Sequence, residues 1–137
     1  MSVMDWARWN QNVHPELELL HHCPNGGSRN KAEAVKLKQM GVKTGIQDLC
    51  LPVPMGVYSG LYIEMKYDTG RLEDSQKKML KALAAAGHYC TVCYGAEEAI
   101  RVLEEYINLK KIDTGNREDT MSEQNMMIRK NGKVKCI

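Results

Sequence analysis

Gly45-Ile46-Gln47-Asp48-Leu49-Cys50-Leu51 and Gly60-Leu61-Tyr62-Ile63-Glu64-Met65-Lys66 are two short apolar runs joined by Pro52-Val53-Pro54-Met55-Gly56-Val57-Tyr58-Ser59. A connection rich in Pro, Gly and Ser favours a chain reversal, so the two runs read as strands of an antiparallel hairpin centred near Gly56. Residues whose numbers sum to 112 then face each other. Leu49 meets Ile63, Leu51 meets Leu61, and Asp48 meets Glu64. One face of the hairpin is continuously apolar; the other carries Asp48, Glu64 and, two residues on, Lys66. Directly opposed side chains have Cβ atoms about 5 Å apart, and like charges at that separation repel unless something neutralises them.

A divalent cation is the natural neutraliser. Two carboxylates suit a hard, oxygen-seeking ion such as Mg²⁺, which keeps several waters and takes one or two protein carboxylates. Lys66, on the face of Glu64, supplies a cation for charge growing on a phosphoryl group under attack. Against this stands the plain reading of Glu64 and Lys66 as an ordinary surface ion pair, which Asp48 makes less attractive without removing.

Asp48 followed by Glu64-Met65-Lys66 resembles the PD-(D/E)XK nuclease signature, and the flanking sequence resembles its VRR-NUC branch. Pro24-Asn25-Gly26-Gly27-Ser28-Arg29 is similar to that branch's Pro-Asn-Gly-Gly-X-Arg stretch. Met40 to Leu49 is similar to its Gly-Val-X-X-Gly-X-Pro-Asp-Leu segment, and Gly70-Arg71-Leu72-Glu73-Asp74-Ser75-Gln76 to its Gly-Arg-Leu-X-X-X-Gln. The likeness runs from about Pro15 to Ile107. Gln47 stands where the family usually has proline, and the Glu and Gln often found in the family's first helix have no clear counterpart before Pro15. The resemblance implies an α/β fold, a restriction-endonuclease-like core whose central mixed β-sheet is flanked by helices. It further implies a Mg²⁺- or Mn²⁺-dependent endonuclease of DNA. Asp48, Glu64 and the backbone carbonyl of Met65 would hold the ion, Lys66 would orient the attacking water, and Gln76 would support them. The glycine loop and its surroundings, Asn25, Gly26, Gly27, Arg29, Lys31 and Lys43, would contact DNA. Stand-alone short domains of this branch are often phage-encoded and act in DNA repair and recombination, with four-way junctions among the substrates. The alternative from another class is a DNA-binding module that keeps the fold without turnover or awaits a partner.

Composition is consistent with this. At 137 residues, with 43% apolar and 26% charged residues, the chain fits one globular domain. A formal charge of +2 says little, but Arg29, Lys31, Lys36, Lys38 and Lys43 gather around the lone acid Glu33, suited either to phosphate backbones or to a solvated helix face. No run is apolar enough to span a bilayer and no signal-peptide pattern opens the chain, so a cytoplasmic protein with no membrane association is expected. Five cysteines are then expected to be reduced. Cys90-Thr91-Val92-Cys93 has zinc-ligand spacing, yet in a strand residues three apart point to opposite faces.

In chain order, Trp6, Trp9 and Val13 mark a first helix with a core-facing stripe. Leu17 to Cys23 reads as extended, and Lys31 to Met40 as a helix with Ala34 and Leu37 inward, ended by Gly41. Glu73 to Ala86 is a helix with Gln76, Leu80, Leu83 and Gly87 on one stripe. Gln76 is therefore either an inward support of the site or an amide serving the helix start. His88 to Tyr94 is a strand, and Ala96, Ile100, Leu103 and Ile107 line a last helix. A nuclease domain over 1–109 is followed by a polar extension over 110–137. Within it Asn131-Gly132, between two β-prone runs, is the strongest hairpin signal in the chain. An isolated hairpin is marginal in water, so it should pack on the core or on a second copy, which suggests a homodimer.

Overall fold

A computed structural model describes residues 1–24, 30–109 and 126–136. Helix α1 covers Val3–Asn10, a 3₁₀ turn Pro15–Leu19, strand β1 His21–His22 and helix α2 Lys31–Gln39. Strands β2 (Leu49–Leu51) and β3 (Leu61–Lys66) follow, then α3 (Asp74–Ala85), β4 (Tyr89–Tyr94), α4 (Ala96–Ile107), β5 (Met126–Lys130) and β6 (Lys133–Cys136). The six strands form one mixed sheet in the order β1-β2-β3-β4-β5-β6. Strands β3, β4 and β5 run parallel, and the remaining neighbours are antiparallel.

The expected register holds: Leu49 pairs with Ile63, Cys50 with Tyr62 and Leu51 with Leu61. The ladder is shorter than the sequence suggests. Gly45 adopts φ +81°, so the chain before Asp48 leaves the extended ladder and turns against α3 instead. The connection reverses through Met55 and Tyr58, with Gly56 at φ +53°.

Strand alternation sorts the core into two layers. Leu49, Leu51, Leu61, Ile63, Tyr89 and Cys93 pack against α1 and α4. Tyr62, Cys90, Val92, Tyr94 and Ile128 pack against Leu80, Leu83 and Ala84 of α3. Central strands covered on both faces read as continuous apolar runs, which is why β4 is buried at five of its six positions. Cys90 and Cys93 fall in opposite layers, so they do not share a zinc ion, and burial pushes both thiols up to about 12.

Several expectations need correction. Trp6 is buried in α1 together with Val3 and Ala7, whereas Trp9 and Val13 are 71% and 74% exposed. The helix ends at Asn10 and packs by its first two turns, so the stripe does not continue. Leu17 to Leu19 lies in a 3₁₀ turn begun by Pro15, and the extended part shrinks to His21–His22. Helix α2 forms where expected and Gly41 follows it at φ +97°, but Ala34 is exposed and Leu37 only half-buried. In α4 the buried stripe is Ala99, Val102, Leu103, Tyr106 and Ile107, while Ala96 and Ile100 are partly covered.

The polar stretch from 110 to 125 lies outside the described residues. The terminal hairpin is inside them, with Asn131 and Gly132 at φ +52° and +72°, the mirror-image turn that Asn-Gly favours. It docks on the chain's own sheet through β4. Arg129, 7% exposed, makes two bonds to Glu105 on α4, at 3.1 and 2.9 Å, and a third to the Tyr89 hydroxyl at 3.2 Å. The Gly132 N–H donates to Glu98 Oε1 at 2.6 Å. Among the described residues, no helix is long and apolar enough to cross a membrane.

Candidate active site

The register that places Leu49 against Ile63 brings Asp48 and Glu64 to the α3 face of the sheet. Asp48 is held by the Met65 backbone N–H, which donates to its Oδ2 at 2.8 Å. Glu64 sits in the middle of β3 and is 2% exposed. Its Oε1 accepts from Gln76 Nε2 at 2.7 Å and lies 3.6 Å from Lys66 Nζ. Its Oε2 is buried with no hydrogen-bond partner among the described residues.

A buried carboxylate oxygen without a donor is costly, because neither water nor protein replaces its lost hydration. The strain shows in its acidity. Burial first, and then the negative charge of Asp48, push Glu64 up to about 7, with Lys66 acting in the opposite sense. Lys66, with a side chain 16% exposed, is also largely withdrawn from solvent.

Gln76 performs both of the jobs its position allows. At the third position of α3 its carbonyl accepts the Glu73 N–H at 2.9 Å, closing a capping box. Its amide nitrogen is thereby turned toward Glu64. The sheet and the helix start are thus tied by one side chain.

Gln47 has a role the sequence did not disclose. It is fully buried, and its Nε2 donates to Gly45 O at 3.1 Å and to Gln76 O at 3.4 Å. A glutamine where the family usually has proline was the available signal. In place of proline's stiffness, the side chain braces the segment before Asp48 against the first turn of α3. Gly45 makes the same junction possible, since a Cβ there would lie 2.4 Å from Ser75 O.

Lys31 is exposed in the first turn of α2 and Lys43 is exposed in the loop before Gly45. Asn25, Gly26, Gly27 and Arg29 lie outside the described residues. Among the described residues no three His, Cys, Asp or Glu side chains converge to hold a metal. Two carboxylates with one bare oxygen nonetheless fit a hard divalent cation, which commonly completes its shell with water. They do not fit an all-protein zinc cage.

Comparison with known proteins identifies the family. No curated protein matches the chain. A solved structure described as a VRR_NUC domain protein superposes with a TM-score of 0.72 at 33% sequence identity, covering 87% of this chain and 90% of that one. The sequence model of the VRR-NUC domain matches residues 2–97, a span that holds Asp48, Glu64, Lys66 and Gln76, and the chain belongs to this family of nuclease domains.

Proposed function

We propose that the chain is a Mg²⁺- or Mn²⁺-dependent endonuclease that hydrolyses phosphodiester bonds in DNA. The observation that carries this reading is the buried Oε2 of Glu64, without a hydrogen-bond partner among the described residues, beside Asp48, with Lys66 and Gln76 on its other oxygen. Asp48, Glu64 and the Met65 carbonyl would hold the cation, which when bound makes water more acidic and polarises a phosphoryl oxygen. Gln76 and Lys66 fix the Glu64 carboxylate in one orientation before substrate arrives. The Lys66 ammonium orients the attacking water and offsets the negative charge that grows on the phosphoryl oxygens as it adds. Branched DNA, four-way junctions included, is the substrate class we favour, in phage DNA repair, recombination or replication. A symmetric homodimer would set two such sites on opposite strands.

The test incubates wild type, Asp48→Ala and Lys66→Ala with labelled linear duplex, flap, single-stranded and four-way-junction DNA, with and without Mg²⁺ or Mn²⁺. Metal-dependent products are expected from wild type and none from either folded variant. Retained cleavage by Asp48→Ala overturns the assignment. Binding by wild type without product on every substrate would mean a DNA-binding module instead. Light scattering tests the dimer against the 15.5 kDa monomer.

A further inference from the structure

The terminal hairpin places lysines on the same sheet face as the carboxylates. Alternation along β3 turns Glu64 and Lys66 toward the α3 layer, and on β4 Tyr94 shares that layer. Register carries the face outward: Lys66 pairs with Tyr94, Lys130 lies over the Tyr94 ring at 4.4 Å, and Lys130 pairs with Lys133. In the next row Glu64 pairs with Val92, Val92 with Ile128, and Ile128 with Lys135. Lys66, Tyr94, Lys130 and Lys133 thus form one line across four strands, with Lys135 beside its outer end. At about 4.8 Å per strand, Lys133 stands roughly 14 Å from Lys66 along the sheet.

The line is open. Lys130, Lys133 and Lys135 are exposed. Two depressions, of about 320 and 340 Å³, share Lys130 and Asn131 and run from Tyr67 at the end of β3 to Lys135. Among the described residues, the one carboxylate lining them is Asp68, whose backbone oxygen accepts from Lys130 Nζ at 3.1 Å. The hairpin also lies beyond the residues that the family's sequence model matches. Its turn and Arg129 are bonded to α4, so the lysines stand on a braced element rather than a free tail.

We propose that Lys133 and Lys135, continuing the line from Lys66 through Lys130, bind the phosphate backbone of the DNA whose bond is cut, about four base pairs from the metal centre at 3.4 Å per pair. This rests on the nuclease reading. Alternating lysines on an edge strand also discourage another strand from pairing there, and charge complementarity selects nucleic acid over a second copy of the same basic edge. The contacts are to backbone and carry no sequence preference.

The experiment measures affinity for a labelled 20-base-pair duplex in EDTA between 50 and 200 mM salt. It compares wild type, Lys133→Gln/Lys135→Gln, Lys133→Arg/Lys135→Arg and Arg8→Gln, the last a charge loss on the opposite layer. Two phosphate contacts contribute about 1.8 to the salt slope, so wild type should lose roughly tenfold more affinity over that range than the glutamine variant. The arginine variant and Arg8→Gln should keep the wild-type slope. An unchanged slope in the glutamine variant, with wild type binding and cutting DNA, overturns this proposal alone. A slope that changes only together with the protein's mass by sedimentation also overturns it, since the edge then serves a second copy. Wild type that neither binds nor cuts any DNA removes the nuclease reading and this proposal together.

Discussion

Gln76 Nε2 donates to Glu64 Oε1 across 2.7 Å, so the first turn of α3 fixes a carboxylate in the middle of β3. The bond occupies one carboxylate oxygen and leaves the other, Oε2, buried without a hydrogen-bond partner among the described residues. Since the Gln76 carbonyl is engaged by the helix cap, the amide has no freedom to flip away. Orientation of the candidate metal ligand is therefore built into the way the helix begins.

Replacing Gln76 by Ala should separate two effects. Loss of the capping box costs about 1 kcal/mol of stability, read as a lower Tm. Under the proposed reading, loss of the donor to the candidate metal ligand Glu64 should cost roughly 10- to 100-fold in cleavage. Gln76→Glu keeps the oxygen that caps the helix but sets a second carboxylate against the buried Glu64, so it should lose at least as much activity as Gln76→Ala. Full activity in Gln76→Ala would show that the bond to Glu64 does not matter.

With Glu64 at about 7, the proposed cation binding should depend on pH near neutrality. A proton must leave before the ion enters, so Mn²⁺ affinity measured by calorimetry should fall about tenfold per pH unit below 7 and level off above it. Stability of the metal-free protein should move the other way. The folded-state value lies above the ordinary 4.5, so the folded state holds the proton more tightly. That contribution is fully present below about pH 4.5 and is lost as pH rises through 7. Asp48→Asn should flatten both profiles, because the Asp48 charge is the second cause of the shift after burial. A Mn²⁺ affinity unchanged between pH 5.5 and 7 would remove the argument.

Legibility followed the strength of local signals. The β2–β3 register could be read because two apolar runs flank a Pro/Gly turn, and a one-residue slip would have buried charges on the other face. Asn131-Gly132 forced its own turn. The neighbours of β5 could not be read, since periodicity reports which face is buried and not which strand lies alongside. At two residues, β1 is too short to show a period, and its histidines are exposed. Trp9 looked like core because aromatic residues at helical spacing usually are, yet α1 is too short to cover it. The brace from Gln47 was invisible for a different reason. Its partners at Gly45 and Gln76 meet only once the chain has folded.

Gly45→Ala should be among the most damaging single-methyl changes in the chain. The position requires φ +81°, and the added Cβ would meet Ser75 O at 2.4 Å and Ser75 C at 2.5 Å, both backbone atoms. The first turn of α3 must move, taking Gln76 with it. A loss of about 2–3 kcal/mol is expected from strain and clash together, along with weaker Mn²⁺ binding in whatever fraction folds. Gly41→Ala, at φ +97° but with open space around the new Cβ, should cost only about 1 kcal/mol. Equal chemical-denaturation midpoints for the two variants would contradict the packing argument.

The ion pair between Arg129 and Glu105 predicts an asymmetry. The Arg129 side chain is 8% exposed and Glu105 is 49% exposed, so only one partner is committed to the interior. Removing the exposed partner strands the buried one. Glu105→Ala leaves a guanidinium whose remaining side-chain bond among the described residues is to the Tyr89 hydroxyl, and whose Nε has no partner among them. It should cost about 3 kcal/mol, the cost of an uncompensated buried charge. Arg129→Met fills much of the same volume with an apolar chain and lets Glu105 hydrate, so it should cost about 1 kcal/mol or less. Because Arg129 sits on β5, the loss in Glu105→Ala should appear first as faster amide exchange in the terminal hairpin, while β3 and α3 stay protected. The reverse order of stabilities would mean that the pair contributes through its charge attraction rather than through satisfying a buried cation.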